Sequence, residues 1–357
     1  MKVGILTFHD TTNFGSLLQT YALYKKLKDL NFTCEVIDYK CDEIVKRELP
    51  SELGSIKSIK ELYRYIKYNR LKKKRYNSMM RFSDKYISIS DEVYYKNNIV
   101  ISNKDYSKFL IGSDIVWGLD ITNKDYTYFL EFVEDGKGKY AYASSIGSNF
   151  EGLTVDEYHK VERLLKEFNK ICVREVQGKE LLSKMKIPYV DVVCDPTLLL
   201  NGYEWSKFTH HINRKPYVLV YFSDSDGKVI SCAKDIAKQY SLEILYISMG
   251  KKEKGVTNVR VYSIEDFLSL IKEAEFVVTS SYHGMLFSIN FNKEFYFNNR
   301  NYKSRMDTVA NILGLDYRDV NYFNINELKK INYEDVNKRL EDFRTKSINT
   351  LKNMITD

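Results

Sequence analysis

Short apolar runs that stop at small polar residues alternate along this chain with stretches of helical spacing. Residues 3–8 are apolar, and the loop His9 to Asn13 is polar. A helix is expected from about Ser16 to Leu30 and a second strand over Cys34 to Tyr39. This is a βαβ opening, without the Gly-x-Gly-x-x-Gly of a dinucleotide fold. After a break the alternation resumes with strands at Lys108–Ile111, Lys139–Ala143, Ile171–Val173 and Val190–Val193. Helices are expected over Val155–Phe168 and from Glu175 to about Met185. Buried parallel strands read as continuous apolar runs of this kind.

A polar stretch ending at Pro216 marks a boundary, and a second series follows. Its strands are Tyr217–Phe222, Leu242–Ile247, Phe276–Thr279 and Glu294–Phe297. Its helices are Lys228–Tyr240, Ile264–Ala274, Gly284–Phe291 and Met306–Leu313. The tail Tyr333–Ile355 has an apolar stripe at helical spacing. The pattern predicts an α/β protein: a first domain over 1–205, a second over 206–330, and a C-terminal amphipathic helix over 331–357 packing across both. Two parallel-sheet domains would face each other across a cleft at their strand ends.

Residues 41–100 read as a helical insertion on the first domain. Arg64, Lys67, Arg70, Lys72, Lys73, Lys74 and Arg75 crowd this segment with little acid nearby. It is either a solvated basic face or a docking surface for anionic lipid or another polyanion. No nucleic-acid motif accompanies it, so nucleic acid is not an expected partner.

With 357 residues, 44% of them hydrophobic, the chain can bury two cores. The net charge of +7 is modest for that length. No stretch approaches the roughly 20 apolar residues of a membrane span. Cys34, Cys41, Cys172, Cys194 and Cys232 are odd in number and scattered, which argues against a disulfide framework. The first residues do not form a secretory signal. The expected location is the cytoplasm, with docking at the inner face of the membrane left open.

The run from Phe276 to Gly284 carries the most chemistry. Its strand leads through Thr279, Ser280, Ser281 and Tyr282 to His283 at a helix start. His283 either caps the helix or serves as a general acid or phosphate donor. Arg174 ends a strand and needs an anionic partner. That partner is Glu175, Asp195 or a substrate carboxylate or phosphate. Asp114, after Gly112-Ser113, is either a helix cap or a base toward a sugar hydroxyl. Asn13, Gly15, Ser16 and Gln19 form an ordinary capped turn or a close backbone approach to a ligand. Lys303 and Arg305 bind phosphate or sit on the surface. No Walker motif, nucleophile elbow or His-Glu-x-x-His is present.

Taken together, ordered motifs along nearly the whole chain resemble the polysaccharide pyruvyl transferase family. They are Asn13-Phe14-Gly15-Ser16-Leu17-Leu18-Gln19, Ile111-Gly112-Ser113-Asp114-Ile115-Val116-Trp117, Tyr142-Ala143-Ser144-Ser145-Ile146-Gly147, Val173-Arg174-Glu175, Asp195-Pro196-Thr197-Leu198 and Thr279-Ser280-Ser281-Tyr282-His283-Gly284. The resemblance implies two Rossmann-like domains in a glycosyltransferase B-like arrangement. It also implies phosphoenolpyruvate as donor and a sugar of a cell-surface polysaccharide or its lipid-linked precursor as acceptor. The product is then a pyruvate ketal, made without metal or further cofactor. His283 becomes the expected acid and Asp114 the expected base. Asn13, Gly15, Ser16, Arg174, Ser281, Lys303 and Arg305 become the expected substrate contacts. Many family members carry arginine where this chain has Ser281, so Lys303 or Arg305 must supply that charge, or the donor differs. The alternatives are a nucleotide-sugar glycosyltransferase of the same fold and a non-catalytic glycan-assembly protein.

Overall fold

A computed structural model describes residues 2–48, 58–148, 150–221, 227–248, 253–299 and 303–356. The side chains at 59–61, 63, 64, 67, 303 and 304 are outside the described set. Chain contacts divide the protein into two units. One contains Met1–Ser51, Met80–Leu199 and Asp342–Asp357, and the other Glu52–Met79 and Leu200–Glu341.

The first unit is built on seven parallel strands. They are β1 (Lys2–Leu6), β2 (Thr33–Tyr39), β3 (Ile89–Tyr94), β4 (Lys108–Ile111), β5 (Gly138–Ser144), β6 (Lys170–Val173) and β7 (Asp191–Val192). Their order in the sheet is β3-β2-β1-β4-β5-β6-β7, every neighbouring pair parallel. Val3, Ile5, Phe109, Leu110 and Ile111 are wholly buried, which explains why these strands read as apolar runs. Trp117, stacked on Phe129, and Tyr128 fill the core beside them.

The second unit carries five parallel strands: β8 (Tyr217–Tyr221), β9 (Glu243–Ile247), β10 (Thr257–Val259), β11 (Phe276–Thr279) and β12 (Glu294–Phe297). Their order is β10-β9-β8-β11-β12. The helix Gly227–Tyr240 packs Val229, Ala233 and Ile236 onto this sheet. Both units are Rossmann-like.

Several expectations change. Residues 41–100 are not purely helical: after the helices Asp42–Glu48 and Ile59–Tyr86 the chain adds edge strand β3. Residues 58–79 group with the second unit by chain contacts. The final helix, Tyr333–Thr356, belongs to the second unit up to Glu341 and to the first from Asp342. In its later half Arg344 Nε donates to the Leu198 carbonyl at 2.6 Å, and Ser347 Oγ accepts from Cys194 N at 3.0 Å, all within the first unit. In its first turn Tyr333 Oη donates to the Lys293 carbonyl, within the second. Among the described residues no helix is long and apolar enough to cross a membrane.

All five cysteines are free and buried. Burial pushes the thiols of Cys34 and Cys172 up to about 12, and those of Cys41 and Cys194 up to about 11.

Gly284 shows how tightly β11 joins the helix Tyr282–Asn290. A Cβ there would lie 2.6 Å from Thr279 Oγ1 and 3.1 Å from the Tyr221 ring. Thr279 Oγ1 cannot easily yield, because it donates to the Tyr221 carbonyl and accepts from Ser281 N. Gly284→Ala is expected to cost about 1–3 kcal/mol by overpacking. Urea unfolding tests this; an unchanged midpoint would show that the helix start has room to shift.

Candidate active site

In each sheet the strand order reverses once, between β1 and β4 in the first unit and between β8 and β11 in the second. Open parallel sheets bind ligands outside the carboxyl ends of their strands at such reversals. Of the sequence-expected residues, Asn13, Gly15, Ser16 and Asp114 lie at the first of these points and Ser281 and His283 at the second, while Arg174 follows β6 and Arg305 lies in the helix after β12.

In the first unit, β1 runs through a loop into the helix Phe14–Asp29. Asn13 caps that helix, its Oδ1 accepting from Gly15 N at 2.9 Å while the residue itself is exposed. One turn on, Ser16 Oγ donates to Asp114 Oδ2, across from the end of β4. The other carboxylate oxygen of Asp114 accepts from Ile115 N at 2.8 Å. Asp114 is half-buried and has φ +86°. No helix begins after it, so the helix-cap alternative fails, and its carboxylate is instead held from two sides at the strand reversal. Gln19 is fully buried and braces the turn: its Nε2 donates to Thr7 Oγ1 at 3.1 Å and to the Ser16 carbonyl at 2.9 Å. Thr7 Oγ1 in turn donates to the Ser113 carbonyl at 2.8 Å.

Arg174 lies beneath this layer with its side chain wholly buried. Its Nη1 donates to Asp195 Oδ2 at 3.2 Å and to Ser113 Oγ at 3.3 Å, and its Nε faces Glu175 Oε2 at 3.4 Å. Asp195 Oδ1 accepts from Thr197 N at 2.9 Å and Thr197 Oγ1 at 2.8 Å. Of the two kinds of partner left open by the sequence, the geometry supplies the structural carboxylates.

In the second unit, Ser281 is the N-cap of the helix Tyr282–Asn290, accepting from Gly284 N at 3.4 Å. His283 is therefore not the cap; it sits half-buried in the first turn. Its ring packs edge-on against Tyr282 with centroids 5.4 Å apart. The Arg305 guanidinium carbon lies 5.7 Å from the centre of that same Tyr282 ring. Tyr282 thus joins His283 to Arg305, and supplies a neighbour that sequence reasoning missed. The Lys303 side chain is outside the described residues.

A charged network was also missed. His9 Nε2 meets Asp38 Oδ1 at 2.9 Å, and Lys40 Nζ meets Asp10 Oδ2 at 2.6 Å and Asp38 Oδ1 at 2.8 Å. The signal was available: His9-Asp10 and Asp38-Tyr39-Lys40 follow or close adjacent parallel strands.

The family model for polysaccharide pyruvyl transferases matches residues 13–301. This chain belongs to that family. No curated protein matches the chain. Among solved structures, the Anabaena protein HepE, in complex with UDP and glucose, matches with TM-score 0.56 and 8% identity, covering 100% of this chain and 99% of its own. UDP-GlcNAc 2-epimerase from Neisseria meningitidis, bound to UDP-GlcNAc, gives 0.51 and 10%, with 100% of both chains covered. A putative UDP-N-acetylglucosamine 2-epimerase from Listeria monocytogenes gives 0.52 and 12%, covering 98% of this chain and 90% of its own. At such identities the likeness concerns the fold, which is glycosyltransferase B-like. As a pyruvyl transferase family member the chain is matched over a stretch that contains both strand reversals.

The His9–Asp38–Lys40–Asp10 network sets a pH dependence. Burial pushes the Asp38 carboxyl up, but hydrogen bonds from His9 and Lys40 outweigh it and hold the group below its usual 3.8. Burial lowers the Lys40 ammonium, but Asp10 and Asp38 outweigh that and hold it above its usual 10.5. The Asp38 contribution is present above the unfolded value and is lost as pH falls through the folded one; the Lys40 contribution is present below the unfolded value and is lost as pH rises through the folded one. Stability should therefore fall off below about pH 4 and above about pH 10. Asp38→Asn should flatten the acid limb in thermal melts against pH, and an identical limb in the variant would remove Asp38 as its source.

Proposed function

We propose that the protein transfers pyruvate from phosphoenolpyruvate to a sugar of a cell-surface polysaccharide or its lipid-linked precursor, forming a ketal across two hydroxyls. The observation that carries this reading is Asp114, fixed by Ser16 and Ile115 N at the β1/β4 reversal, in a chain of this family. A carboxylate anchored in this way is suited to take a proton from a sugar hydroxyl.

The donor methylene gains a proton, which leaves positive charge at the carbon bearing the phosphate. A sugar hydroxyl attacks that carbon and gives its proton to Asp114. Phosphate leaves and restores positive charge at that carbon, and a second hydroxyl closes the ring there, its proton going to the released phosphate. His283 is assigned the acid role, toward either the methylene or the departing phosphate. Arg305, beside Tyr282, is assigned the anion contact that Ser281 does not provide. Ser281 is assigned the helix cap, and Arg174 the support of Ser113 below Asp114. Asn13, Gly15 and Ser16 shape the turn that faces the acceptor. Metal is not required, since fixed donors and cations supply the electrostatic stabilisation.

A second reading is glycosyl transfer from a nucleotide sugar, favoured by neighbours solved with UDP and sugar ligands. Phosphate release from phosphoenolpyruvate in the presence of a glycan acceptor separates the two. Asp114→Asn and His283→Ala should each lower kcat about 100-fold with the fold retained, and Arg305→Ala should raise KM for phosphoenolpyruvate about tenfold or more. Consumption of a UDP-sugar, with phosphoenolpyruvate untouched, would replace the first reading by the second.

A further inference from the structure

The first unit contains a cavity of about 610 Å³ that none of the roles above uses. It opens where β2 and β3 end, walled by Tyr39 and Cys41 on one side, Tyr95 and Asn97 on another, and the loop residues Asn123 and Asp125. This is the carboxyl edge of the same sheet that holds Asp114.

Its chemistry is mixed. Lysines 40, 46 and 96 face the carboxylates of Asp42, Glu43 and Asp125. Most of this charge is already balanced: Lys40 by Asp10 and Asp38, and Lys46 by Glu43 at 2.8 Å. Asp125 is buried and accepts from Tyr39 Oη at 2.6 Å. A small polyanion would gain little from so neutral a wall. A hydroxyl-rich ligand would gain more, because it can both donate and accept along a lining of carboxylates, carboxamides and hydroxyls. Tyr95 is 49% exposed and offers an aromatic face at the rim, which suits the apolar face of a pyranose ring.

Position supports the same conclusion. The sheet order β3-β2-β1-β4 places the β2 end two strands from the β4 end. At about 4.8 Å per strand that separation is about 10 Å. A saccharide of two or three residues seated in the cavity would reach Asp114.

We infer that this cavity is the docking site for the acceptor saccharide, an uncharged oligosaccharide held one or two residues away from the sugar that is modified. The assignment rests on the transfer reading above, but its test does not. An array of immobilised neutral and N-acetylated di- to tetrasaccharides is probed with the full-length protein, with Tyr95→Ala and with Tyr95→Phe. Tyr95→Ala is expected to lose about tenfold in affinity, while Tyr95→Phe, which keeps the ring, binds as wild type. Lys96→Gln should change binding little. In turnover assays Tyr95→Ala should raise the acceptor KM with kcat unchanged. If the wild type retains no saccharide, or Tyr95→Ala binds as well as wild type, the cavity is not the acceptor site. If saccharide binding depends on Tyr95 but phosphoenolpyruvate releases no phosphate, the docking site stands and the transfer reading fails. If Asp114→Asn abolishes transfer while the acceptor KM is indifferent to Tyr95, the transfer reading stands and the docking site fails.

Discussion

The buried ion pair between Arg174 and Asp195 is the constraint around which the first unit's functional edge is arranged. Neither side chain reaches water. Desolvating both charges is expensive, so the arrangement survives only because Ser113, Thr197 and Glu175 complete it. Removing one member of such a pair typically costs about 3–5 kcal/mol, because the other charge is left uncompensated. The pair ties the end of β6 to the segment after β7 and to the residues that follow β4. Asp114 is the next residue along from Ser113. The buried pair thus anchors the residue before Asp114, while Ser16 and Ile115 N hold the carboxylate itself.

The same logic divides the family motifs into two kinds. Asp195-Pro196-Thr197 and Val173-Arg174-Glu175 are buried, with Arg174 paired to Asp195. Gly112-Ser113-Asp114 and the turn at Asn13 to Ser16 lie one layer above them. In the second unit Thr279, Ser281 and Gly284 hold the strand-to-helix corner, and His283 with Arg305 flanks Tyr282.

Much of this was legible in the sequence. β4, β11 and β12 have the residue limits expected from their apolar runs, because strands covered on both faces carry no polar alternation. Edge strands β3 and β10 escape the pattern because they are mostly polar and part-exposed, with no continuous apolar run. Asp114 could be found from its place after a strand, but its partner Ser16 could not, since 98 residues separate them. Arg174 remained ambiguous until burial was known, because a strand-end arginine facing a carboxylate and one facing a ligand have the same local sequence. Residues 58–79 lie between two segments of the first unit in the chain yet group with the second, because chain adjacency is not spatial adjacency.

The five sequestered thiols carry one more implication. All are buried, and burial pushes those at positions 34, 41, 172 and 194 up from the ordinary thiol value. Nucleophilic attack on an alkylating reagent or peroxide requires thiolate at the surface. Such electrophiles should therefore label the native molecule slowly, and covalent labelling of its sulfur atoms would act as a clock for transient opening of the interior.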